Sequence, residues 1–242
     1  MKTLNEYKSI APFYDWVLYP FMRGIRRDVL GMAQQIKPGR IIDVCCGTGD
    51  QLSLLRRSGM NVLGIDYSDA MLKVAARKSP RISCLKQDAT TMGFVDQSFD
   101  MAIVSMGLHE TGWEQAQGIL KEIHRILKPS GRLIVVDYAL TSATSTVARA
   151  LIHGIEYIAG GDHFRNFQCY NRKGGLEKLI DPSLFIPMED RFHGQHSLVV
   201  RMLQKRTTLP EVRGQKTSMQ QEEIQRTERQ NLRAIEDKRW EC

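Results

Sequence analysis

The sequence predicts an α/β domain in which a largely parallel sheet is covered by helices on both faces, and three observations point to it. Short apolar runs rich in β-branched residues alternate with stretches at helical spacing. Pro and Gly punctuate the boundaries, and the last two extended runs are close enough together to form a hairpin. With 242 residues, 42% of them hydrophobic and 25% charged, the chain can bury one such core and stay in solution, which excludes a disordered or fibrous chain.

Taken in order, Tyr7, Ile10, Tyr14, Val17 and Phe21 recur at helical spacing, with Pro12 near the start and Pro20 near the end. This helix either packs over the sheet or acts as a lid over a ligand. Arg40 to Cys45, Asn61 to Asp66, Arg81 to Gln87, Phe99 to Ser105 and Arg132 to Asp137 read as five strands, separated by helices near Gln51 to Ser58, Asp69 to Lys78 and Trp113 to Lys128. That alternation implies parallel strands buried on both faces. Lys37-Pro38-Gly39 precedes the first strand, and Lys128-Pro129-Ser130-Gly131 stops a helix before the fifth.

Beyond the fifth strand, Thr144 to Ala159 is helix-compatible, Gly160-Gly161-Asp162-His163 reads as a loop, and Arg172 to Ile180 as a short helix. Ser183 to Arg191 and His196 to Leu203 flank a turn at Phe192 to Gln195, and so short a connection joins only antiparallel strands. The expectation is therefore a Rossmann-like sheet of seven strands, mostly parallel, with an antiparallel C-terminal hairpin, over residues 1–203. From Gln204 to Cys242 the composition turns to Gln, Glu and Arg, which predicts a charged tail that is helical or disordered.

No run reaches the roughly 18 apolar residues of a bilayer-spanning helix, and Met1 to Asp15 show no apolar signal region, so a cytoplasmic protein is expected. Cys45, Cys46, Cys84, Cys169 and Cys242 have no framework spacing, and the six histidines form no spaced Cys/His set, so neither a disulfide nor a metal is expected. The formal charge of +7 is diffuse and is read as solubility, with no nucleic-acid partner.

The chemistry concentrates at strand tips. The first strand runs into Asp43-Val44-Cys45-Cys46-Gly47-Thr48-Gly49-Asp50, a small-residue loop where open α/β sheets bind ligands. The position of a third fingerprint glycine is Leu52, which disfavours a dinucleotide. A cofactor with ribose, adenine and an amino-acid end but no pyrophosphate does not need that glycine. Asp66, at the second tip and followed by Tyr67, can accept from both hydroxyls of a ribose, while Ser68 or Asp69 caps the next helix. Asp88-Ala89 follows the third strand, and Ser105 ends the fourth.

On these residues, and on Leu127-Lys128-Pro129-Ser130-Gly131, the chain from about residue 7 to 203 resembles the class I S-adenosylmethionine-dependent methyltransferases of small molecules, similar to the ubiquinone/menaquinone-biosynthesis C-methyltransferases. The resemblance implies S-adenosyl-L-methionine as cofactor, with Gly47, Thr48 and Gly49 on the methionine portion, Asp66 on the ribose, and Asp88 and Ala89 beside adenine. Asp43, Tyr67, Ser105 and Tyr14 complete the candidate cofactor set. Cys45 stands where the family often has a glycine, which implies a turn made without a positive φ. The Asn/Asp-Pro-Pro-Tyr and Pro-Cys signatures of nucleic-acid methyltransferases are missing from the sequence.

Methyl transfer from a sulfonium is an in-line displacement that depends chiefly on positioning and exclusion of water. His109 and His163 are the candidates for a base that takes the acceptor's proton. The aromatics Tyr157, Phe164, Phe167 and Tyr170 suggest a small apolar or flat acceptor, such as a quinone precursor. Two alternatives stand beside it. One is a phospholipid N-methyltransferase touching an anionic membrane through Phe21, Met22 and Ile25 with Arg23, Arg26 and Arg27. The other is a non-catalytic relative that recruits partners through its tail.

Overall fold

The computed structural model describes residues 7–79 and 82–207, with side chains of the first helix described from Met22 onward. The tail beyond Thr207 and the side chain of Tyr14, with the lid reading attached to it, lie outside the described residues. The elements in chain order are α1 (Tyr7–Ile36), β1 (Ile41–Val44), α2 (Asp50–Arg57), β2 (Val62–Asp66), α3 (Asp69–Lys78), β3 (Ser83–Lys86) and β4 (Phe99–Ser105). They continue with α4 (Trp113–Ile126), β5 (Leu127–Tyr138), α5 (Thr146–Ala159), α6 (Gly161–Arg172), α7 (Gly175–Leu179), β6 (Phe185–His193) and β7 (Leu198–Lys205).

Seven strands form one sheet in the order β3-β2-β1-β4-β5-β7-β6. The first five are parallel, and β7 runs antiparallel to both β5 and β6. Alternation along each strand divides the core in two. Ile41, Met101, Ile103, Ile134 and Val136 meet Ile25, Val29 and Met32 of α1 and Leu52 and Leu55 of α2 on one face. Ile42, Val44, Val104, Leu133 and Val135 meet Ile119, Leu120 and Ile123 of α4, Phe167 of α6 and Leu176 of α7 on the other. Each of these side chains contributes about 1.5–3 kcal/mol by leaving water.

Several boundaries differ from the sequence reading. α1 does not end near Pro20 but continues to Ile36, because Ile25, Val29, Met32 and Ala33 carry its apolar stripe onto the sheet. That packing uses Ile25 in the core, and Arg26 pairs with Asp50 at 3.1 Å, which removes both from the suggested membrane stripe. α4 stops at Ile126, and β5 starts at Leu127, pairing with Phe99 before a register shift carries it past Pro129 and Gly131 to the Met101–Arg132 pair. Residues 161–163 are helical rather than looped: Gly160, at φ 79°, breaks one long helix into α5 and α6. The expected helix from Arg172 is instead the end of α6 followed by α7.

The hairpin turn falls two residues later than expected, since Gly194, Gln195 and His196 take positive φ in succession and Ser197 Oγ donates to the Gly194 carbonyl at 2.6 Å. β7 extends past Leu203 to Lys205, and contacts divide the chain into Met1–Arg206 and Thr207–Cys242. Among the described residues, no helix is long and apolar enough to cross a membrane.

Candidate active site

Chain order reverses direction between β1 and β4, so a crevice opens at the carboxyl ends of these strands, where ligands of open α/β sheets sit. Its floor is the loop after β1. Gly47 has φ 53° and Gly49 has φ 75°, so both take the left-handed conformation that glycine adopts without strain. A Cβ on Gly47 would meet nothing within 4 Å, whereas one on Gly49 would lie 2.7 Å from Ile82 Cδ1 and 3.1 Å from Ala75 Cβ. Gly47 therefore borders open space and Gly49 borders protein.

Cys45 corrects an expectation. Its φ is 58°, so this non-glycine residue turns with positive φ after all, and Met106, at the end of neighbouring β4, does the same at φ 57°. Left-handed residues with a Cβ cost about 1–2 kcal/mol and persist where surrounding packing holds them. Here a Cβ on Gly107 would come within 3.0 Å of Cys45 Cβ, so the two strained tips are packed against each other across the crevice.

Asp66 ties the second tip to the loop: Gly47 N–H donates to its Oδ2 at 2.8 Å and Ser68 N–H to its Oδ1 at 2.8 Å. Ser68 Oγ accepts from Met71 N–H and caps α3, leaving Asp66 out of that role. Burial raises the Asp66 carboxyl, opposed by the N–H donors of Ser68 and Gly47. Asp43, buried beneath the loop, is pushed up to about 8 by burial, then by Cys84 and Asp66, with Arg26 opposing. Burial, then Asp66, Glu110, Asp43 and Asp88, raises the Cys45 thiol, so acidic side chains act on this point of the crevice, with Asp43 itself kept protonated up to about pH 8.

The remaining cofactor candidates separate. Thr48 is buried and accepts from Lys78 Nζ at 3.2 Å, while the same ammonium pairs with Asp50 at 3.2 Å. Tyr67 is 59% exposed, with Lys86 Nζ 5.8 Å from its ring centre. Asp88 is exposed and accepts from Thr90 N–H at 2.8 Å and Thr90 Oγ1 at 2.6 Å, while Ala89 packs on the core. Ser105 is half-buried at the end of β4.

His109 and His163 come together, although they stand 54 positions apart with α4, β5 and α5 between them; their ring centres are 5.8 Å apart. His109 is fully buried after β4, with Nδ1 2.6 Å from Asp137 Oδ1. His163, on the first turn of α6, has Nε2 3.1 Å from Glu110 and Nδ1 2.9 Å from Glu156. Asp162 does not orient it but pairs with Arg165. Burial alone would lower His163, but Glu110 and Glu156 outweigh it and push it up to about 10. His109 is likewise raised, its desolvation outweighed by Asp137 and then Glu156.

Glu156, buried on α5, joins the two histidines and was not singled out from the sequence; its seven-residue spacing to His163 spans the break at Gly160 and follows no local pattern. Of the four aromatics expected to face an acceptor, Phe167 and Tyr170 are core residues, because α6 turns them onto the sheet. Tyr157 is exposed and packs edge-to-face with half-buried Phe164 at 5.5 Å.

A family profile described as a methyltransferase domain matches residues 41–131. The ubiquinone/menaquinone biosynthesis C-methyltransferase of Geotalea uraniireducens is 32% identical over 208 residues, covering 79% of this chain and 84% of that protein. The demethylmenaquinone methyltransferase of Renibacterium salmoninarum is 32% identical over 146 residues, covering 55% of this chain and 57% of that protein, so the chain spans just over half the length of this relative. A solved SAM-dependent methyltransferase from Thermotoga maritima shares the fold, with a TM-score of 0.60, 20% identity, and coverage of 84% of this chain and all of that one.

Proposed function

Because the chain belongs to the S-adenosylmethionine-dependent methyltransferase family that includes the ubiquinone and menaquinone C-methyltransferases, we propose that it transfers the methyl group of S-adenosyl-L-methionine to a small, flat acceptor of the quinone-precursor kind. The observation that carries this reading is the loop at the crevice, held in register with Asp66 by the 2.8 Å bond from Gly47 N–H. A carboxylate so held can also accept from the two ribose hydroxyls, as the ligand's donors add to its remaining lone pairs. Gly47, Thr48 and Gly49 take the methionine portion, Asp88 and Ala89 flank adenine, and Asp43, Tyr67 and Ser105 border the cofactor. The carboxylates around Cys45 suit a ligand that carries a sulfonium and an ammonium.

S-adenosylmethionine bound there would supply a methyl group on a sulfonium that leaves as a neutral thioether, while the proton displaced from the acceptor would be released to solvent. The protein's part is to align acceptor, carbon and sulfur and to keep water out. Exposed Tyr157 and half-buried Phe164, packed edge-to-face on the α5–α6 side, offer apolar aromatic surface, which supports an aromatic acceptor.

Calorimetric titration with S-adenosylmethionine tests the reading. Wild-type protein is expected to bind, and Asp66→Ala to bind at least ten-fold more weakly, since charge-assisted hydrogen bonds contribute about 1.5–3 kcal/mol each. Equal affinity in the two proteins would overturn the site. We assign cofactor binding to the unit Met1–Arg206, so deletion of residues 215–242 is expected to leave that affinity unchanged; a loss would make the tail part of the site.

A further inference from the structure

In the cluster that unites His109, Glu156 and His163, each histidine gives one ring nitrogen to an outer carboxylate and turns the other inward. Asp137 Oδ2 accepts from the N–H groups of Leu108 and His109, at 3.2 and 3.3 Å, and its Oδ1 from Tyr138 N–H at 2.7 Å. A carboxylate so supplied with donors acts as an acceptor toward His109, so Nδ1 carries the hydrogen of the 2.6 Å contact and Nε2 carries the lone pair. On the other side, His163 directs Nε2 at Glu110 Oε1, 3.1 Å away, which leaves Nδ1 as its inward atom. Glu156 has Oε1 engaged by the Tyr138 hydroxyl at 2.7 Å, and its Oε2 lies 2.9 Å from His163 Nδ1.

Three inward atoms remain: His109 Nε2, Glu156 Oε2 and His163 Nδ1, all buried and none with a hydrogen-bond partner. The 2.9 Å approach of the last two is close enough for a hydrogen bond but is not aligned as one. The three residues bring one ligand atom each to within 4.8 Å of one another. A proton on His163, favoured by Glu110 and Glu156, supplies positive charge between these atoms in the metal-free protein, and a divalent cation would take its place.

We propose that His109 Nε2, Glu156 Oε2 and His163 Nδ1 bind one divalent first-row transition-metal ion, with Asp137 and Glu110 orienting the two imidazoles. Two imidazoles and one carboxylate form a borderline donor set that suits zinc or iron(II) better than calcium or magnesium. Metal–ligand bonds of about 2.0–2.2 Å would hold the donors about 3–3.5 Å apart, so the farther pairs close in while the 2.9 Å pair of Glu156 and His163 opens. A carboxylate on the far ring nitrogen of each histidine fixes tautomer and ring plane, as outer-shell partners of metal-bound histidines do. The site would clamp the β4–α4 loop to α5 and α6, beyond the carboxyl end of β4 that also borders the cofactor crevice. It also changes the part given to His109 and His163, from bases to ligands.

The test is a titration of the chelator-dialysed full chain with cobalt(II), followed by its visible ligand-field absorption, with zinc(II) as competitor and thermal midpoint as a second readout. One equivalent of cobalt(II) is expected to give a saturating spectrum and a raised midpoint, both abolished in Glu156→Gln and His163→Gln. Glu110→Gln, which alters only an outer partner, is expected to weaken cobalt(II) about 10–100-fold. His196→Gln, in the hairpin turn, is expected to titrate as wild type. Calorimetry with S-adenosylmethionine on the same variants shows whether their fold survives, and a failure of cofactor binding in the wild type would sink the proposed activity without touching the metal. No uptake of either ion by the dialysed wild type, or equal uptake by Glu156→Gln and His163→Gln, would overturn the proposal.

Discussion

Gly47 and Gly49 stand two residues apart in one loop, share positive φ, and differ in what surrounds them. Alanine at either position should cost about 1 kcal/mol from the left-handed backbone. At Gly49 the new Cβ also meets Ile82 and Ala75, so Gly49→Ala is expected to lose a further 1–3 kcal/mol in denaturant titration, from overpacking. Gly47→Ala should keep most of the stability and instead weaken S-adenosylmethionine, measured by calorimetry, because its methyl group points into open space. If both variants lose stability equally and bind alike, the contrast between the two glycines fails. The glycine loop and Asp66 were readable from sequence because each belongs to a short segment at its own strand tip. The positive φ of Cys45 was not, since the residue packed closely against it, Gly107, follows a strand distant in sequence.

Among the elements, β2 and α2 show how a missing fingerprint glycine is made up. Leu52 occupies the position where a dinucleotide fold would have glycine, and the space it needs comes from Gly64 on β2, whose Cβ would lie 2.3 Å from Leu52 Cδ1 and 2.8 Å from Cys46 Sγ. Gly64→Ala should therefore destabilise by about 1–3 kcal/mol, and Leu52→Ala in the same chain should recover part of that loss, as a double-mutant cycle in urea would show. Additive losses would mean that the two side chains do not share the space. The elements α3 and β4 coincide with their sequence-predicted limits because each has one clear period and a clear stop. β5 and α6 do not: Pro129 and Gly131 look like the end of a helix but lie within a strand at a register shift, and the paired glycines 160 and 161 look like a loop but form a break between helices. In both cases packing against a distant partner overrides local punctuation.

For the molecule as a whole, the buried Asp43 carboxyl links stability to pH. Its folded-state value of about 8 lies above the ordinary 3.8, so between these values the unfolded chain releases a proton that the folded chain keeps. Stability should fall as pH rises through this interval, by up to about 1.4 kcal/mol per unit, and level off above about 8. Urea titrations of wild type and Asp43→Asn from pH 4 to 9 should show that slope in their difference; a flat difference would contradict it. The architecture was readable from sequence at the level of seven strands and a closing hairpin, but the position of the last strand was not, because hairpin pairing does not say which partner faces inward. β7 lies between β5 and β6, paired with both. Synthesis on the ribosome proceeds from the N-terminus, so the strand that joins the parallel part of the sheet to edge strand β6 emerges after every other strand. Until Leu198 to Lys205 emerge, the apolar edge of β5 has no partner along its length, and the nascent chain depends on delayed collapse or a chaperone to keep that edge from other chains.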